Sequence, residues 1–174
     1  MDRTPHRIVN PMSLPEPVGF SHALLAAPGR TVHVGGQLPL RPSGSVVGET
    51  VVQQFDQALA NMVEALRSAG AEPGHVVDMC VYTTSMTAYR ANLPTLGSVY
   101  RRHMGRYYPP MSVVGVTELL EADALVELVC TAVVPEEVDE ALEEGVEALG
   151  LVEAVEETLV AQPPAERVPE RNRA

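Results

Sequence analysis

A chain of 174 residues, 45% hydrophobic and 20% charged, is long enough for one domain with an apolar core and too short for two of ordinary size. Its net charge of −11 is uneven: residues 18–134 hold nine acids against seven arginines, residues 135–174 twelve against three. A near-neutral domain makes nucleic acid a poor partner, the absence of lysine excludes Schiff-base catalysis, and no apolar run nears the ~20 residues that cross a bilayer. Asp2, Arg3 and Pro5 precede any apolar stretch, so no signal-peptide pattern is present and a cytoplasmic location is expected.

Residues 1–17, with four prolines, read as an extended lead-in. The apolar run Ser21 to Ala27, the turn Pro28-Gly29 and the strand Thr31 to Leu38 then predict a β-hairpin, followed by a short strand over Ser45 to Val47. Val52, Phe55, Leu59, Met62, Leu66 and Ala69 recur at steps of three and four, which predicts a helix. Thr50 and Gln53 have the spacing of a capping box, and Gly70 supplies the stop. A β-branched strand follows over Val76 to Thr83. A second helix begins after Asn92 and ends at Gly105, and two strands close the domain, Met111 to Val116 and Ala124 to Val134.

Runs of strands interrupted by only two helices predict an α+β sheet with both helices on one face. In the last strand Val126, Leu128, Cys130, Ala132 and Val134 suit the face beneath the helices. Leu125, Glu127, Val129, Thr131 and Val133 form a second face too apolar to be left in water, so packing against further copies of the chain is expected. Val138, Leu142, Val146, Leu149, Val152, Val155 and Leu159 predict an acidic amphipathic helix over residues 135–162, either lying on its own domain or contacting a neighbouring subunit. Beyond Pro163 a disordered tail, residues 163–174, is expected.

The chain has no GxGxxG, Walker or HExxH pattern, and its five histidines have no metal-ligand spacing, so neither a cofactor nor a metal is expected. Cys80 and Cys130 sit in apolar strand-like runs and read as small buried hydrophobes. Gly19 to Ala23 approaches a nucleophile elbow, but Ala23 replaces the second glycine and the segment leads into a strand. The glycine pair Gly35-Gly36 in mid-strand marks either a bulge or a close approach to the backbone.

Three stretches, Val18-Gly19-Phe20-Ser21-His22-Ala23, Val34-Gly35-Gly36-Gln37-Leu38-Pro39 and Pro109-Pro110-Met111-Ser112-Val113-Val114, resemble in order and spacing the Rid family. These are the reactive-intermediate deaminases, also called YjgF-like proteins. Ala69-Gly70 at the first helix end, Val99-Tyr100 and the strand Leu125 to Leu128 extend the resemblance over residues 18–134. It implies a chorismate-mutase-like fold, a mixed sheet with two helices on one face, assembled as a homotrimer. The three sheets would form a central barrel, with small-molecule pockets between subunits. In the deaminase branch the pocket hydrolyses enamines and imines released by pyridoxal-phosphate enzymes. There an arginine pairs with the substrate carboxylate and a glutamate on the last strand positions water.

This chain departs from that pattern. Met111 stands at the arginine position, Val129 at the glutamate and Phe20 at a pocket tyrosine, and residues are inserted around Asn92 to Leu96. The expected pocket is therefore apolar and suited to an uncharged ligand. Phe20, Ser21, Gly36, Gln37, Met111 and Val129 would bind it, with Glu127 as general acid or base and Ser112 as hydrogen-bond donor. Two readings stay open. One is an enzyme acting on a small reactive imine, enamine or carbonyl compound in specialised metabolism, as a deaminase, hydrolase or lyase/cyclase-like catalyst. The other is a non-catalytic trimer that binds a metabolite or a protein.

Overall fold

The computed structural model describes residues 4–136, so the acidic helix and the tail expected after it lie outside the described residues. The elements run β1 (Arg7–Val9), β2 (Ala23–Leu25), β3 (Gly29–Gln37), α1 (Val51–Ser68), a 3-10 turn (Pro73–His75), β4 (Val76–Thr83), α2 (Met86–Ala91), α3 (Leu93–Met104), β5 (Met111–Gly115) and β6 (Val126–Pro135). Four strands form a mixed sheet in the order β3-β6-β4-β5, antiparallel except for the parallel pair β4-β5. Helix α1 packs against β6 and β3, and α3 packs against α1, so both long helices cover one face as expected. None of the described helices is long and apolar enough to cross a membrane.

The expected hairpin does not form. β2 pairs with β1, and β3 instead takes β6 as its partner, from Gly29 opposite Pro135 to Gln37 opposite Leu128. β6 offers a long apolar strand along the whole of β3, and the lead-in supplies Arg7–Val9 to satisfy the short β2. The lead-in is thus partly a strand. The short strand at Ser45 to Val47 is reduced to one bridge between Leu40 and Val46.

Helix α1 begins as its sequence dictates: the Thr50 hydroxyl accepts from the Gln53 amide, and the Gln53 side chain accepts from the Thr50 amide. It buries Phe55, Leu59, Met62 and Leu66, each a contribution of about 1.5–3 kcal/mol. Against them lie Met79 and Val81 of β4 and Val126, Leu128, Cys130 and Ala132 of β6, all nearly or wholly enclosed. Burial pushes the Cys130 thiol up to about 12, with Asp78 adding to the effect, so this cysteine is the inert hydrophobe expected. Cys80 is not. It is only half-buried and lies on the opposite face.

One buried polar residue of α1 is essential to the join between layers. Gln54, 2% exposed, donates to the Gly48 carbonyl (3.1 Å) and the Asp123 carbonyl (2.9 Å) and accepts from the Leu125 amide (2.6 Å). It ties the helix to the loop that enters it and to the chain entering β6. Replacing Gln54 with leucine strands three backbone groups, and the expected loss is about 2–4 kcal/mol in chemical denaturation. A loss below about 0.5 kcal/mol would show that water replaces the side chain.

Candidate functional site

The site begins with a tie between segments far apart in sequence. Gly19, at φ +77°, turns the chain so that Ser21 reaches the residues before β5. The Ser21 hydroxyl donates to the Tyr108 carbonyl (2.5 Å) and its amide to the Pro109 carbonyl (3.2 Å). Pro110 in turn accepts from the Met79 amide. Ser21 is buried and its hydroxyl is spent on this tie, so its place is to hold Phe20 beside Met111.

Phe20 and Met111 share a cavity of about 190 Å³. Val18 and Gly19 come from the same segment, Phe55 from α1, Tyr89 from α2, Leu93, Leu96, Gly97 and Tyr100 from α3, and Val113 from β5. No lining residue carries a charge. Of the inserted residues, Leu93 and Leu96 open α3 and line the cavity, while the short helix α2 ahead of them contributes Tyr89 as a wall. A neighbouring cavity of about 480 Å³ shares Val18, Gly19 and Phe20, and Arg106 lines that one.

The remaining candidates face the other way. Met79 opposes Met111 across the parallel pair, on the helix side, whereas Cys80 opposes both Ser112 and Val129. Tyr82 opposes both Val114 and Glu127. Ser112, Cys80, Tyr82, Glu127 and Val129 therefore share the sheet face that no described element covers. Within one chain, Val129 does not join Phe20 and Met111, because adjacent residues of a strand point to opposite faces. The adjacent Cys80 thiol, with the charges of Glu127 and Asp78 nearby, raises the Tyr82 phenol above its ordinary value.

The glycine pair satisfies both of its expected meanings. Val34 opposes Cys130 and Gln37 opposes Leu128, so Gly35 and Gly36 together face one residue of β6, which is a bulge. A Cβ on Gly36 would fall on the Glu127 Oε1 atom, with Glu127 Cδ 2.9 Å away. The glycine leaves the space that this carboxylate occupies. The Gln37 side chain turns back to the Gly35 carbonyl at 3.2 Å.

A third cavity, about 510 Å³, lies between the end of α3 and the 3-10 turn and is lined by Arg67, Arg101, Arg102 and His103. Its cations are largely engaged: Arg67 with Glu72 (3.3 Å), Arg102 and His103 with Asp56 (2.9 and 2.5 Å). No group of three or more potential metal ligands is found among the described residues. The apolar cavity and the Glu127 face are thus the two places where the sequence candidates gather.

Gly36 and Gly29 make a comparison that checks this geometry. A Cβ on Gly29 would fall on the rigid Val134 backbone, with the carbonyl carbon 2.8 Å away. We expect Gly29→Ala to cost about 2–4 kcal/mol, while Gly36→Ala displaces only the flexible end of Glu127 and changes stability by less than about 1 kcal/mol. Equal costs in urea unfolding would mean that the Glu127 carboxylate cannot move.

Comparison with known proteins places these features. The family described as endoribonuclease L-PSP matches residues 13–134. A human 2-iminobutanoate/2-iminopropanoate deaminase is 30% identical over 115 residues, 65% of this chain and 80% of that protein. The crystal structure of YyfB, a Rid-family protein of unknown function from Yersinia pestis, superposes with TM-score 0.68 at 33% identity, covering 77% of this chain and all of that one. A putative endoribonuclease from Thermotoga maritima superposes with TM-score 0.55 at 28% identity, covering 75% and 98%.

Proposed function

The chain belongs to the endoribonuclease L-PSP (Rid) family, and we propose that it takes up a small, uncharged, largely apolar imine, enamine or carbonyl compound in the Phe20–Met111 cavity. The observation that carries this reading is the lining itself: eleven residues, none of them charged, with Met111 among them. A carboxylate moved into such a cavity loses its water and gains no partner. The imino acids in the human relative's name carry that group; the ligand proposed here does not.

A homotrimer is part of the reading. The face carrying Val129, Val114 and Tyr82 is left open by the described residues and is apolar enough to favour association. In such an assembly the pocket lies between subunits, with the Phe20–Met111 wall from one copy and Glu127 and Ser112 from the next. Glu127 would act as general acid or base and Ser112 as donor. Retention of Glu127, cradled at Gly36, favours catalysis. The replacement of the water-positioning acid by Val129 favours the second reading, a trimer that binds without turnover.

The unaltered protein is expected not to release ammonia from 2-iminopropanoate in a coupled assay. Met111→Arg should gain about 10- to 100-fold in affinity for pyruvate, used as a carboxylate probe, in calorimetric titration. Ammonia release by the unaltered protein would overturn the reading. The two versions separate at Glu127: Glu127→Gln should abolish turnover of a neutral imine while leaving the trimer intact in sedimentation. Turnover unchanged by that substitution would remove Glu127 from catalysis.

A further inference from the structure

We propose that the Tyr89 hydroxyl is the hydrogen-bonding contact of the Phe20–Met111 cavity, so that the ligand carries one acceptor, a carbonyl oxygen or an imine nitrogen, on an apolar body. The inference rests on that cavity being the ligand site and adds what fixes the ligand's orientation.

Tyr89 sits in the short helix α2, just ahead of the inserted residues, and it is held firmly. The Ser85 hydroxyl caps the helix by accepting from the Ala88 amide (3.3 Å), and the Asn92 side chain donates back to the Ala88 carbonyl (2.8 Å). The Tyr89 ring stands edge-on to Phe55, with centroids 6.1 Å apart and planes at 90°. Only 7% of the residue is exposed.

Its hydroxyl nevertheless makes no hydrogen bond among the described residues, although every wholly buried side-chain nitrogen or oxygen there has a partner. The hydroxyl must therefore open onto accessible space, and the cavity is the space that Tyr89 lines. The other tyrosine of the lining offers no such donor: Tyr100 donates to the Tyr107 carbonyl at 2.9 Å. Phe20 and Met111 have none to give.

Burial pushes the Tyr89 phenol up to about 12, which keeps it protonated at neutral pH. A neutral donor in an apolar chamber selects an acceptor and gives a carboxylate no countercharge. The cavity, about 190 Å³, equals about six water volumes. A compact ligand with one polar atom fits that size.

The test uses two probes of the same shape in the full-length protein, acetophenone, which has a carbonyl acceptor, and isopropylbenzene, which has none. The unaltered protein should bind the ketone about threefold to tenfold more tightly by NMR titration, the worth of one neutral hydrogen bond. Tyr89→Phe should remove that preference and leave the hydrocarbon's affinity unchanged. Gly97→Leu, which fills the cavity, should block both. A ketone preference that survives in Tyr89→Phe overturns the assignment of Tyr89 and leaves the cavity reading standing. Binding of neither probe, or binding indifferent to Gly97→Leu, overturns the cavity reading and the assignment with it.

Discussion

Strand β6 is hydrogen-bonded along both edges, to β3 on one side and β4 on the other, and the architecture depends on that double pairing. A strand in this position has no free backbone edge, so its side chains alone decide what lies above and below it. Val126, Leu128, Cys130 and Ala132 accept α1 and the core. Glu127, Val129, Thr131 and Val133 are presented the other way, whereas Leu125, expected among them, lies ahead of the strand and packs against the core. A one-residue slip would put Glu127 beneath α1, where an unpaired carboxylate costs several kilocalories per mole. Register is thus fixed by the cost of error, and with it the separation of the two candidate neighbourhoods.

Much of this was legible in the sequence. The steps of Phe55, Leu59, Met62 and Leu66 reproduce a helix whose buried face is those residues, and Thr50 and Gln53 form the capping box that their spacing implies. The alternation of β6 gave both of its faces from Val126 to Ala132, because period-two burial needs no knowledge of neighbours. Strand pairing was harder. Pro28-Gly29 has the chemistry of a hairpin turn, yet β3 binds β6, about a hundred residues away in sequence, because a long apolar strand outcompetes the three residues of β2. Local turn signals cannot report a distant competitor.

The same limit explains the site. Met111 and Val129 each stood out as an apolar residue at a polar position of the family pattern, and grouping them required only the resemblance. Placing them required register: Val129 faces Cys80, which faces Ser112, and Ser112 and Met111 point to opposite sides of β5. Gln54 and Tyr89 left no signal at all. A glutamine on the buried stripe of a helix looks like a surface residue out of phase until its three backbone partners are seen. Tyr89 lay between the strand ending at Thr83 and the helix starting after Asn92, where no element was expected.

This site shows how a pocket can change its chemistry without changing its frame. The Ser21 tie to Tyr108 and Pro109 fixes Phe20 against β5 whatever residue occupies position 111, since only backbone carbonyls receive it. Position 111 is therefore free to exchange a cation for a thioether with no loss to the fold. What such an exchange removes is directional recognition, because an apolar wall holds a ligand without orienting it. Helix α2 returns a direction by setting one neutral donor into the same wall. A hydrogen bond supplied by a phenol discriminates less between charged and uncharged acceptors by attraction than an arginine does. Discrimination then comes from desolvation, which the uncharged lining imposes on any anion that enters. The frame belongs to the family, and the selectivity proposed for this chain follows from what the lining lacks.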